Sequence, residues 1–289
     1  MLLQIVLTTV VVPFLLGTFI AGFAIVIPGQ RSLQIALLIP LAAVLIHVLL
    51  EGIPALPPVS AKHKLPLILL GGALIFGLKA IVLREMKMAV SVVLAIVILG
   101  GSTWLLGKNV LMADPTKAAA VVVIVLIASV ALGAAVATSR ASRPDGQTFL
   151  AAALFAVSLA AALNAAFGAF VGMAQIDGAL AALTGGWLLV GYVRYLMGDD
   201  QALELRGAEG LAFGFVILVH VIMTALFTPK TSTTALMLAV LPLAVAAYVL
   251  VRGSGLGRVH PPLRPFAAGL LVAIPAVISI AIAATLFEG

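Results

Sequence analysis

Uninterrupted apolar runs are the feature that most constrains the fold of this chain. The run from Ala118 to Thr138, AAAVVVIVLIASVALGAAVAT, carries no charge. It is long enough to cross the hydrocarbon core of a bilayer, which takes about 20 residues of helix. A strand of a membrane barrel would instead alternate apolar and polar residues over about ten positions. The sequence therefore predicts membrane-spanning helices.

The composition supports the same class of protein over the whole chain. Of the 289 residues, 64% are hydrophobic and 9% are charged, whereas a soluble domain carries about 25% charged residues. We predict an all-α, polytopic transmembrane helix bundle of about ten spans with short loops, forming a single transmembrane domain over 1–289. The predicted spans are 3–27, 33–50, 65–83, 88–106, 118–138, 148–172, 177–196, 210–228, 233–251 and 266–287.

If the ten predicted spans cross the membrane in alternate directions, successive loops lie on opposite sides of it. The basic residues then divide unequally between the two sides. The first side has eleven basic residues, including all nine arginines, and the second has five lysines. The first set is Arg31, Lys79, Arg84, Lys87, Arg140, Arg143, Arg194, Arg206, Arg252, Arg258 and Arg264; the second is Lys62, Lys64, Lys108, Lys117 and Lys230. The positive-inside rule predicts a cell (inner) membrane protein with the arginine-rich loops cytoplasmic and both termini outside. We therefore expect the basic residues that give the net charge of +6 to bind anionic lipid headgroups. No nucleic-acid partner is predicted.

Two connections carry weaker signals. Gln175, Asp177 and nearby glycines are all that separate the sixth and seventh spans, which predicts a tight hairpin there. The polar stretch GDDQALELRGAE, between the seventh and eighth spans, is a candidate for a short surface helix.

His220 is the strongest candidate for a functional side chain within a span. It lies in the middle of FVILVHVIMTALF, far from any charge in the sequence. Ionisable residues in hydrocarbon are costly and mark solute or proton pathways. The structural alternative is a neutral imidazole that hydrogen-bonds a neighbouring helix.

His47, Glu51 and Asn164 complete the candidate intramembrane polar site. His47 and Glu51 are four residues apart in HVLLE, so they share one face of a helix. They suit a coupled proton site or half of a metal site, and the alternative is an interfacial pair that reaches water. Asn164 lies in AALNAAFGAFVG, and its alternative role is a hydrogen bond between helices.

The sequence lacks the motifs of most catalytic classes. There is no Walker A loop and no G-x-S-x-G elbow, and the absence of cysteine excludes thiol catalysis and thiolate metal sites. Two histidines on separate spans suit axial haem ligation, but only the residue type supports it, so no cofactor or metal is predicted. An enzyme is therefore disfavoured.

Three functions remain open. The leading hypothesis is a secondary transporter or permease for a small solute or lipid. The alternative is a non-catalytic membrane subunit or scaffold that binds a membrane-protein partner, and the third is an intramembrane lipid-modifying enzyme using His47, Glu51 and His220. In size and helix count the chain is similar to the drug/metabolite transporter superfamily and to bile-acid-type symporters; no residue role is taken from that resemblance.

Overall fold

The computed structural model describes residues 2–26, 30–82, 87–139, 148–228, 230–253 and 255–287. In these residues eleven α-helices make ten long apolar spans, because α1 and α2 continue one another through a π-helical turn. The helices are α1 (Leu2–Val6), α2 (Val12–Val26), α3 (Arg31–Glu51), α4 (Ala61–Val82), α5 (Met88–Ala113), α6 (Pro115–Ser139), α7 (Phe149–Phe167), α8 (Val171–Leu196), α9 (Gly207–Phe227), α10 (Thr233–Arg252) and α11 (Arg264–Phe287). The described ranges contain no β-strand, so the predicted all-α, polytopic bundle is confirmed, and the chain is a multi-pass membrane protein.

The alternating helices give the bundle two chemically distinct ends. The arginine face holds Arg31, Lys79, Lys87, Arg194, Arg206, Arg252, Arg258 and Arg264, and the lysine face holds Lys62, Lys64, Lys108, Lys117 and Lys230. Arg84, Arg140 and Arg143 lie outside the described residues. Side-chain contacts support the arrangement: at the lysine face, Lys64 Nζ donates to the Leu105 carbonyl at 3.3 Å and so links α4 to α5.

Helix α9 is the centre of the bundle. Every residue from Gly207 to Leu226 is buried, and α9 packs against each helix from α3 to α8 and against α10. A helix that is apolar all round buries every face when other helices surround it. The two polar side chains in its second half, His220 and Thr224, are therefore enclosed by protein.

Glycine brings α2 and α8 into backbone contact. A Cβ built on Gly17 would overlap the Leu183 carbonyl, and one built on Gly186 would overlap the Phe14 carbonyl. Small residues that let two backbones touch are the usual means of helix association in a bilayer. This pair of reciprocal contacts fixes α8 against the first span.

The first span changes its helical geometry just before a proline. Leu7–Val11 forms a π-helical turn, and the Val12 backbone N–H donates to the carbonyl of Leu7. Pro13 has no backbone N–H, so it cannot donate the hydrogen bond that continues an α-helix. The wider π-helical turn accommodates this break in the hydrogen-bond pattern where α2 begins. The structure thus places a π-turn at this proline.

The hairpin between the sixth and seventh spans is tight, but it comes earlier than the polar residues indicated. Helix α7 ends at Phe167 and α8 begins at Val171. Ala169, at φ 62°, takes the left-handed position, and the Phe170 N–H donates to the Ala165 carbonyl at 2.8 Å. These are the features of a Schellman helix end. Asp177, expected at the hairpin, lies instead in the second turn of α8.

The acidic stretch between α8 and α9 is not a surface helix, so that expectation was wrong. Residues 199–206 form turns and irregular backbone, and Ala202 to Leu205 are buried against the bundle. Arg31 fixes the segment, donating to the Glu204 carbonyl at 2.8 Å and to the Gln201 carbonyl at 3.3 Å. Its guanidinium also lies 3.9 Å from a carboxylate oxygen of Glu209. Hydrogen bonds from the Arg31 side chain to backbone carbonyls thus hold this segment in a non-helical conformation.

Candidate functional site

His220 is fully buried in the centre of the bundle and has one nitrogen without a partner. Its Nδ1 lies 2.6 Å from the Val216 carbonyl, one turn earlier in α9. A carbonyl only accepts, so Nδ1 carries the proton of the neutral ring and Nε2 presents a lone pair. That Nε2 atom is enclosed and makes no hydrogen bond.

His47 is the second buried imidazole, and α3 brings it towards His220. The two rings interact electrostatically across the packed α3–α9 pair. His47 also hydrogen-bonds the backbone of Lys62, while its Nδ1 is buried without a partner. Seven other buried side-chain atoms of the described residues also make no hydrogen bond, but these two nitrogens belong to one packed pair of helices. Because buried polar atoms are nearly always hydrogen-bonded, such a pair suits a polar occupant.

Asp177 joins these residues from α8. Its side chain is 1% exposed, and one carboxylate oxygen accepts a hydrogen bond from the Thr224 hydroxyl at 3.4 Å. Thr224 lies one turn beyond His220 on α9, so the two share a face of that helix. The embedded cluster, defined as His47, Asp177, His220 and Thr224, therefore draws on three different spans.

Sequence reasoning missed Asp177 because it placed this residue at a loop. The carboxyl and its neighbours Gln175 and Gly178 were taken as the end of a span, whereas the chain turns at 168–170. Trp187 is buried in α8, where its ring makes an edge-to-face contact with Phe213.

Glu51 lies at the lysine-face edge of the embedded cluster. One of its carboxylate oxygens is 3.1 Å from Lys62 Nζ, and its side chain is 26% exposed. The other oxygen approaches Gly172 at the start of α8, where an added Cβ would lie only 2.8 Å away. Glu51 thus stands between water at the lysine face and His47, one turn deeper in α3.

An apolar stretch closes the other side of the embedded cluster. From Gly210 to Val219, α9 carries only glycine and apolar side chains, and all of them are buried. At the helical rise of about 1.5 Å per residue, this stretch spans about 15 Å towards the arginine face. Beyond it lie Glu209 and Arg31. The embedded cluster therefore adjoins one face of the bundle and is separated from the other.

Asn164 is engaged elsewhere, in a network that joins three helices. Its Nδ2 donates to Ser279 Oγ at 2.9 Å, and Ser279 donates to the Ala235 carbonyl at 2.6 Å. Asn164 also donates to the Ala160 carbonyl at 2.8 Å. These bonds tie α7 to α11 and α10, which is the structural role that sequence reasoning kept as the alternative.

The described residues offer no set of donors for a metal. No three histidine, aspartate or glutamate side chains in the described ranges converge closely enough to hold an ion. A metal-dependent lipid-modifying enzyme built from His47, Glu51 and His220 therefore has no ligand set in this part of the chain.

Comparison of the chain with known protein families, with curated proteins and with solved structures found no match. Any function must accordingly be argued from the geometry of the embedded cluster and its surroundings.

Proposed function

We propose that this protein is a secondary transporter, or permease, whose transport site is the embedded cluster. The observation that carries the proposal is that three packed spans bury two imidazoles and a carboxyl in one half of the bundle: His47 acts electrostatically on His220, and Asp177 contacts Thr224, one turn along α9 from His220. Polar groups of this kind are costly within a membrane and characterise solute and ion pathways. A purely structural helix contact needs no imidazole nitrogens left without hydrogen bonds.

The asymmetric position of the embedded cluster also suits alternating access. The cluster lies one to two turns from the lysine face, next to the partly exposed Glu51, while the apolar stretch Gly210–Val219 blocks the arginine face. A carrier in one of its two end states has this form, with its site near one side and closed to the other. The substrate class proposed is a small solute or lipid.

The orientation in the membrane is part of this proposal. The described arginines lie at one end and lysines alone at the other. We propose that the arginine face is cytoplasmic, because positive loops are retained on that side during insertion. The embedded cluster then lies towards the outside of a cell membrane.

The proposal is tested by measuring charge movement with purified protein in liposomes on a solid-supported sensor. Panels of organic cations, organic anions, amino acids and sugars are applied under pH gradients of both directions. We expect a transient current with at least one class, and its loss in His220→Ala. The matched control is Ser129→Ala, a fully buried polar residue in α6, which should keep the current. Absence of current with every class in the wild type would contradict a charge-moving transporter.

A second candidate function has one specific observation in its favour. An apolar groove of about 670 Å³ runs between α2, α7, α8 and α11, with Phe14, Phe155 and Phe266 among its lining residues. Apolar side chains of a helix from another membrane protein could pack into such a groove, as expected of a subunit. Native mass spectrometry after gentle extraction distinguishes the two functions: a second polypeptide in fixed ratio supports the subunit, and a lone chain or homo-oligomer supports the transporter.

A further inference from the structure

Asp177 differs from the other buried carboxyl groups of the described residues. Glu204 pairs with Arg206, and Glu209 faces Arg31, both at the arginine face. Asp177 forms no ion pair in the described part of the chain, and its side-chain hydrogen bond is the 3.4 Å contact from Thr224. An ionised carboxyl with so little support inside a bundle is far more costly than a protonated one.

The helices that surround Asp177 bring few charged groups. The first span and α7, which both pack against α8, contain no titratable side chain in their described residues. Helix α3 contributes His47 and Glu51, and α9 contributes His220; Arg31 of α3 and Glu209 of α9 lie at the arginine face, beyond the apolar stretch. Lys62 and His63 act on His47 from the start of α4. The groups available to exchange charge with Asp177 are therefore two imidazoles and one acidic side chain nearer to water.

The chemical groups around Asp177 favour a proton over sodium as the coupling ion. Sodium requires several oxygen ligands, which carriers commonly supply from unwound backbone. Here α3, α8 and α9 are continuous helices through His47, Asp177 and Thr224, so their carbonyls are used within the helices. The unused atoms are imidazole nitrogens, which accept protons readily. We propose that Asp177 is the proton-binding residue that couples transport to a proton gradient; this inference rests on the proposed transporter function.

The proposed route of the proton starts at the lysine face. Glu51, partly exposed and paired with Lys62, lies one turn from His47. His47 and His220 present their unpartnered nitrogens within the bundle and interact electrostatically. Thr224, one turn along α9 from His220, contacts Asp177. A proton taken from water at this face ends on the carboxylate oxygen of Asp177 and neutralises it. It reaches the arginine face only after the apolar stretch Gly210–Val219 rearranges.

Infrared difference spectroscopy of the full-length protein in liposomes tests this site without a known substrate. As the pH is stepped, one of the carboxylic-acid C=O bands that titrate in the wild type should be absent in Asp177→Asn. The matched control, Glu209→Gln, removes a different buried carboxyl and should keep the band. The same titrating band in Asp177→Asn would overturn the assignment, as would a change of that band on adding sodium chloride at constant pH.

A second variant keeps the proposal testable if Asp177→Asn does not fold. Thr224→Val keeps the shape of the side chain and removes the hydroxyl that bonds Asp177, so it should displace the frequency of the band. An unchanged band in a folded Thr224→Val protein would count against Asp177 as its source.

The experiments distinguish failure of the transporter proposal from failure of the proton site at Asp177. A band that depends on Asp177, without current for any solute, supports the proton site and contradicts a charge-moving transporter. Solute currents that ignore the pH gradient, with no band that depends on Asp177, overturn the proton site and keep the transporter.

Discussion

The hydroxyl of Thr224 in α9 donates a 3.4 Å hydrogen bond to the carboxylate of Asp177 in α8, and both side chains are enclosed by the bundle. This contact joins the central helix to the helix that the first span holds through backbone contact at Gly17 and Gly186. A small movement of α8 relative to α9 would therefore change the surroundings of a buried acid. That coupling of helix position to protonation is what an ion-driven carrier needs.

Replacing Thr224 by Val should lower the free energy of unfolding by about 1–3 kcal/mol, because a buried oxygen of Asp177 loses its hydrogen-bond donor. The control is Thr184→Val in α8, since the hydroxyl of Thr184, equally buried, bonds only the Leu180 carbonyl of its own helix. Unfolding is followed in lipid bicelles by thermal or steric-trapping methods. Equal losses in the two variants would show that the Thr224 hydroxyl gives Asp177 no particular support.

Asn164→Ala should lower stability and leave transport intact. The variant breaks the bonds that tie α7 to α11 and α10, and such interhelical hydrogen bonds contribute about 0.6–2 kcal/mol in membranes. Ser158→Ala in the same helix is the control, because its hydroxyl bonds only the Phe155 carbonyl. The readouts are the melting temperature and the solute current. Loss of current at unchanged stability would return Asn164 to the transport site.

Gly186→Ala should prevent correct assembly, whereas Gly178→Ala in the same helix should not. A Cβ at Gly186 overlaps the backbone of Phe14, which cannot move without displacing the first span, while a Cβ at Gly178 meets no atom within 4 Å. Alanine also favours a helix by up to about 1 kcal/mol over glycine. The fraction of monodisperse protein after detergent extraction measures the effect. Equal yields for both variants would contradict the close α2–α8 contact.

Arg31→Gln should loosen the segment that covers the arginine face. Charged hydrogen bonds contribute about 1.5–3 kcal/mol each, so hydrogen exchange of the backbone amides in 199–206 should accelerate by about 10- to 100-fold. The exposed Arg258, also at the arginine face, provides the control Arg258→Gln. Unchanged exchange in Arg31→Gln would mean that apolar burial of Leu203 and Leu205 holds the segment without the arginine.

The orientation can be tested directly, because the chain contains no cysteine. Ser60 lies exposed before α4 at the lysine face, and Asp200 lies exposed between α8 and α9 at the arginine face. We expect Ser60→Cys to react with a membrane-impermeant maleimide in intact cells, and Asp200→Cys to react only after permeabilisation. The reverse pattern would place the arginine face outside.

Part of the site was predictable from residue type alone. His47 and His220 interrupt apolar runs, so their burial follows from the span prediction, and the structure places both within helices. Asp177 could not be assigned in the same way, since its position depends on whether α7 ends before or after it. The left-handed backbone at Ala169 ends α7 before Asp177, and an alanine in the sequence does not predict such a turn.

The sequence by itself determined the number and approximate extent of the spans, because the cost of exposing backbone and charge to hydrocarbon acts on each segment locally. Only the tertiary structure decided which helices meet: that α9 is central, that Asp177 faces Thr224, and that Asn164 faces Ser279. The physical reason is that lipid tails are as apolar as leucine. A helix that packs on protein and one that packs on lipid therefore have nearly the same composition on every face, and helix partners are chosen by close fit and a few polar contacts.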